Sequence, residues 1–161
     1  MQMQSKLCLV GMALVATAAI AGGNPKFLRA PSASLGSPKV IVKWTEVGLG
    51  NPGTDISYEA KATAAARYQC VNRGNNCPAA SNKEDVLADV SVGGTFDVDK
   101  NGRISESLII PAPESTLVCP GNQRVGVVSV VFTNIKLTDV TNNISSPTNP
   151  SSLSYNGPEC P

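Results

Sequence analysis

The chain contains no histidine. That removes the usual general base of serine and cysteine hydrolases, and the commonest metal ligand, so a catalytic triad of the usual kind is excluded. Aromatic residues are scarce, at 4% of the sequence with a single tryptophan. A sugar-cleaving cleft normally needs a spaced pair of carboxyls lined by aromatic platforms, and nothing here indicates one. Charged residues make up only 16% of the chain, so much of the surface must be Ser, Thr, Asn and Gly. Long apolar runs are also missing. The single one, Leu7 to Ile20, has about 14 residues, short of the ~20 that a membrane span requires.

What that run does resemble is the core of a secretory signal peptide. Lys6 provides a positive start, and Ala19-Ile20-Ala21 offers a small-x-small cleavage pattern. Residues 1–21 are therefore read as a signal peptide, and the remainder as one secreted, extracellular domain of ordinary size. Of 13 basic side chains Lys6 leaves with the leader, so 12 remain against 12 acidic ones. A balanced charge without a basic stripe argues against nucleic acid and anionic membranes as partners and fits a monomer.

Cys8 lies within the leader; Cys70, Cys77, Cys119 and Cys160 follow it. An even number in an exported chain reads as two disulfides. A zinc site would need short paired spacings, and the intervals of six, 41 and 40 residues do not supply them. Three pairings are possible. Cys70 with Cys119 and Cys77 with Cys160 is preferred, because it ties a central strand to a distant loop and fastens the Pro-rich tail.

Residues 22–38 are rich in Gly, Pro, Ser and Ala without periodicity, and read as a flexible lead-in. From Lys39 the period is two, placing a single β-sandwich domain over 39–161. Ile56, Tyr58, Ala60, Ala62, Ala64, Ala66, Tyr68 and Cys70 share one face of a long half-buried strand. Val40, Val42 and Trp44 alternate before it, and Val86, Ala88, Val90 and Val92 after it, up to a Gly93-Gly94 pair expected to break or bulge the strand. Trp44 reads as core. Val128, Val130 and Phe132 hold one parity while Ile135 and Leu137 hold the other, which predicts a bulge near Thr133-Asn134. Alternation with short turns and no convincing helix points to a β-sandwich, with an irregular tail after Asn142.

Asp97-Val98-Asp99-Lys100-Asn101-Gly102 copies the front of a calcium-binding EF-hand loop, with oxygen ligands at Asp97, Asp99 and Asn101. Leu108 stands where the bidentate Glu belongs and the flanks read as strand, so a β-hairpin turning at Asn101-Gly102 is the plainer account. Asn143-Ile144-Ser145 is an N-glycosylation sequon. The polar loop Asn72 to Pro78 sits between two cysteines; Arg73, Asn75 and Asn76 could present a guanidinium and amides to a ligand. Carboxylates such as Glu46, Asp55 and Glu59 read as solvated strand charges.

Val47-Gly48-Leu49-Gly50, the strand ending Tyr68-Gln69-Cys70-Val71-Asn72, Lys100-Asn101-Gly102 and Cys119-Pro120-Gly121 together carry a resemblance. Over roughly Val40 to Asn142 the chain resembles small secreted immunoglobulin-like β-sandwich proteins of microbes. The resemblance implies an immunoglobulin-like fold and secretion; with the strand pattern and the cysteine count, the expectation is an all-β, immunoglobulin-like antiparallel β-sandwich of about 6–8 strands with two disulfides. It also implies the Cys70–Cys119 pairing, with Cys77 and Cys160 as an addition. It transfers no catalytic residue. The functional expectation is a non-enzymatic protein, without cofactor, acting by extracellular contact, as an effector or elicitor toward a host would. A polysaccharide-binding wall module and an inhibitor of an extracellular hydrolase are the alternatives.

Overall fold

The computed structural model describes residues 23–74, 76–78 and 82–157. The leader of residues 1–21 lies outside them, as do Asn75 and Cys160. Among the described residues there is no helix, and nine strands form two antiparallel sheets in a sandwich-like arrangement.

In the first sheet β3 (Val40–Val47) pairs along its whole length with β6 (Arg103–Ile110). Its other edge is then left for β1 (Lys26–Phe27) and β2 (Ser32–Leu35), which pair with successive parts of it. In the second sheet β4 (Asp55–Val71) lies between β5 (Lys83–Asp97) and β7 (Arg124–Asp139). The far edge of β7 is shared by β8 (Ile144–Pro147) and β9 (Leu153–Asn156).

The alternation of β4 becomes burial as the period of two requires. Every even-numbered residue from Ile56 to Cys70 is buried, while Lys61, Ala65 and Arg67 are exposed. Val130, Phe132, Ile135 and Leu137 of the neighbouring β7 extend this face, and Val40, Val42 and Trp44 from β3 and Ile104, Leu108 and Ile110 from β6 pack against it. Trp44 is 5% exposed and its ring packs on Tyr58 at 4.8 Å and edge-on to Phe96 at 5.5 Å. The run of small Ala side chains on β4 lets these larger side chains fill the space between the sheets.

The parity change in β7 is a bulge at the expected place. Lys61 pairs with Lys136 but Thr63 with Thr133, so β7 carries one extra residue there, and Asn134 takes a positive φ of 53°. The backbone of Ile135 is not orphaned by the bulge. Its N–H donates to the Ser151 carbonyl, and its carbonyl accepts from Thr148 N–H. A second register shift, between Arg67 and Tyr68, opposes Tyr68 to Val127 and brings Val127 rather than Val128 against the core.

Four expectations need correction. The lead-in 22–38 contributes β1 and β2, because the outer edge of β3 needs backbone partners and Ala33 can be buried there. The tail after Asn142 contributes β8 and β9 for the same reason on β7, with Leu153 and Tyr155 packed against the core. Gly93-Gly94 neither breaks nor bulges β5: the pairing with β4 runs unshifted from Lys83 to Asp97. Gly94 is instead where the Phe96 ring lies, since a Cβ there would come within 2.9 Å of it. Finally, Asn101-Gly102 does not close a hairpin, because β5 and β6 belong to different sheets.

Candidate functional site

The long strands carry their loops to two poles. At one pole β4 ends and β7 begins, and a disulfide joins Cys70 to Cys119 across 49 residues. It anchors the segment after β6, which also receives the Tyr68 hydroxyl on the Pro113 carbonyl. The Glu84 carboxylate accepts from Ser115 Oγ and Thr116 Oγ1, at 2.5 Å each, and these bonds hold it below its usual pKa. The preferred pairing is thus realised for Cys70 and Cys119; that of Cys77 with Cys160 falls on a residue outside the described ones.

The bridge brings two polar loops together. Asn72, Arg73, Gly74 and Asn76 line one side of an open cleft of about 690 Å³, and Pro120, Gly121, Asn122 and Gln123 line the other. The first loop is braced from within. Asn72 N–H donates to the Asn76 carbonyl at 3.0 Å, and its side-chain Oδ1 accepts from the N–H groups of Gly74 and Asn76, both at 3.1 Å. The second turns tightly, with Gln123 N–H donating to the Pro120 carbonyl and Gly121 at φ 59°. Arg73 and Asn76 therefore sit where the sequence pattern placed them, on a stiffened rim. The Pro120–Gln123 half was not singled out by sequence, because only the disulfide makes it a neighbour.

At the other pole the calcium pattern is taken up by the backbone. Asp99 Oδ1 accepts from the N–H groups of Asn101 and Arg103, at 2.8 and 2.9 Å. Its Oδ2 lies 3.7 Å from Arg103 Nε. Asp97 stands directly opposite Asp55 on β4 and raises the Asp55 carboxyl above its usual pKa. Among the described residues no three Asp, Glu or Cys side chains are grouped to hold a metal ion. Asn143 is exposed at the turn between β7 and β8, with φ 56°. Beside it Asp139 is buried and accepts from Asn142 N–H at 2.9 Å and Asn142 Nδ2 at 2.6 Å.

Glu46 is not a solvated charge. It is fully buried between the sheets, where its carboxyl faces the Tyr58 hydroxyl and the Asp139 carboxyl. Burial pushes its pKa up to about 7; the Tyr58 hydroxyl pulls the other way, and the negative Asp139 adds to the rise. Burial likewise pushes the Tyr58 hydroxyl up. The signal was present in the sequence, since Glu46 shares the parity of Val42 and Trp44, and Asp139 that of Ile135 and Leu137. Charge masked it.

The outer face of the second sheet has a smaller depression of about 350 Å³ over the bulge, lined by Lys61, Thr63, Asp89, Ser91, Asn134 and Lys136. Its charges are partly matched, with Lys61 Nζ 2.9 Å from Glu59 and Thr63 Oγ1 donating to Asp89 at 2.8 Å. Among the described residues none of the exposed large hydrophobic side chains is aromatic. Among the described residues no helix is long and apolar enough to cross a membrane. The protein-family models contain no match to this chain, and no curated protein matches it significantly.

Proposed function

We propose that this chain is a secreted, non-enzymatic protein with an immunoglobulin-like sandwich and a second Cys77–Cys160 bridge, acting by contact with another extracellular molecule. The observation that carries the reading is the pole at Cys70–Cys119. There a rigid scaffold holds two loops rich in amides and one guanidinium around an open cleft. Arg73 and Asn76 form the contact on one side, and Asn122 and Gln123 on the other. The absence of histidine from the sequence and the use of Asp99 and Glu84 in backbone and hydroxyl bonding support a presenting surface rather than a reactive one. A disulfide is consistent with an extracellular setting. Asn143, on an exposed turn away from this pole, is the glycosylation site. The partner is a protein, as it would be for an effector or elicitor toward a host.

An inhibitor of an extracellular hydrolase is the second reading, favoured by the internal bracing of the Asn72–Asn76 loop, which limits the entropy lost on entering a groove. The polysaccharide reading loses support, because Trp44, Tyr58 and Tyr68 are all buried. The test is capture from extracellular fluid of a candidate host by the immobilised, oxidised protein, beside co-sedimentation with wall polysaccharide. A retained host protein is expected, with Arg73→Ala combined with Asn76→Ala weakening capture roughly tenfold or more. Capture unchanged by the double variant refutes the pole as the contact, and retention on polysaccharide alone refutes a protein partner.

A further inference from the structure

The two flanks of the sandwich are built differently. On the flank of β1, β2, β8 and β9 the sheets are stitched together: Ser32 bridges Asn149, Asn149 N–H donates to the Pro31 carbonyl and Ala33 N–H to the Asn149 carbonyl. On the opposite flank, among the described residues, both sheets end in a strand with one unpaired side, β6 and β5. An open edge invites pairing with another chain unless it is blunted. β6 is short, eight residues, and its Glu106 falls on the inward parity of the buried Ile104, Leu108 and Ile110 yet is exposed, an inward-pointing edge charge of the blunting kind. β5 carries an inward-parity charge only near one end, at Glu84, whose carboxylate is taken up by Ser115 and Thr116; from Asp85 to Thr95 that parity holds no charge. The strand runs 15 residues with no proline and no bulge. The segment after β6 is tied to Glu84 through side-chain bonds, and among the described residues no strand pairs with the outer side of β5.

The ladder fixes which backbone groups are free. Val98 N–H donates to Thr54 and Cys70 N–H to Asn82, at the two ends of an unshifted register. Even-numbered residues of β5 therefore bond to β4, and odd-numbered ones, from Asp85 to Thr95, turn N–H and C=O outward. The side chains of the same odd residues lie on the outer face, where Leu87 is 75% exposed.

We propose that β5 is a homodimerisation edge, pairing antiparallel with β5 of a second copy about a two-fold axis at Val90 so that the two larger sheets become one. The occupant is a second copy because the strand is complementary to itself. Only the register centred on Val90 overlaps all of Lys83–Asp97, and the same register sets Lys83 opposite the partner's Asp97 at both ends. Asp97 already faces Asp55 of its own chain, so each end presents two carboxyls to one incoming ammonium. In between, Asp85 meets Thr95, Asp89 meets Ser91, and the exposed Leu87 lies over Gly93, whose missing side chain leaves it room. An isologous pairing of this kind closes on itself, whereas a heterologous one would propagate. The surface is separate from the cleft at the disulfide pole, and the monomer suggested by composition is replaced by a symmetric pair.

The test is sedimentation equilibrium of the oxidised protein over a wide concentration range. A reversible monomer–dimer equilibrium is expected. Ser91→Pro removes an outward N–H without touching the β4 ladder, and by symmetry deletes two intermolecular bonds, weakening association roughly tenfold or more. Lys83→Glu is expected to weaken it as well, and Lys83→Glu combined with Asp97→Lys to restore it. Should Ser91→Pro fail to fold, the charge exchange decides. A single-chain mass throughout overturns the proposal. So does a dimer indifferent to both changes, or an edge that captures foreign extended peptides but no second copy.

Discussion

Glu46 shows how far a single buried carboxyl can govern the pH response of this protein. In the unfolded chain its carboxyl titrates near 4.5; folded, it keeps its proton up to about pH 7. Between those values the folded state binds the extra proton, so stability is fullest below about pH 4.5 and falls as the pH rises to about 7. With about 1.4 kcal/mol per pKa unit, the loss across this window is on the order of 3 kcal/mol. Thermal melts from pH 4.5 to 8 should show Tm declining in the native protein. In Glu46→Gln, which keeps the shape and cannot ionise, the decline should be largely gone; an equal slope in both would place the titration elsewhere. The residue was on the apolar parity of β3 from the start. A sequence pattern that sorts by polarity assigns it to solvent, whereas the sheet assigns it by position.

At the scale of elements, alternation identified β3, β4 and the bulge of β7 correctly, because each is long enough for a period of two to stand out. β1, β2, β8 and β9 escaped for the opposite reason. They have two to four residues each and owe their strand geometry to the free edges of β3 and β7 rather than to their own side chains. The bulge is open to a direct check. Asn134 holds a φ of 53°, which Asn tolerates, Gly adopts freely and a β-branched residue resists. Asn134→Val should cost about 1–3 kcal/mol in denaturant unfolding, and Asn134→Gly should stay within about 0.5 kcal/mol of the native protein. Equal effects of the two would mean that the Asn side chain, not its backbone, serves the bulge.

For the whole molecule, the Cys70–Cys119 bridge is both a staple and a device of assembly. It closes a 49-residue separation, for which the chain-entropy argument gives about 4 kcal/mol. Replacing both cysteines by Ala should therefore lower the unfolding free energy by roughly 2–4 kcal/mol. The same change should loosen the Pro120–Gln123 loop and reduce capture of a partner at the pole. A full loss of stability with unaltered capture would separate the two roles. Of the candidate site, Arg73 and Asn76 were readable from a polar loop hemmed by cysteines. The facing loop was not, since it lies some 50 positions downstream and meets them only through the bridge.

The order of residues alone determined that this is an all-β chain with a long central strand of small inward side chains, and that histidine-dependent chemistry is closed to it. Both follow from composition and from a period of two, which are local. Only the tertiary structure decided which carboxyls are buried, which short segments become strands, where two distant loops form one cleft, and which strand is left with a free edge. Those depend on what lies opposite a residue in space, and neighbours along the chain do not report it.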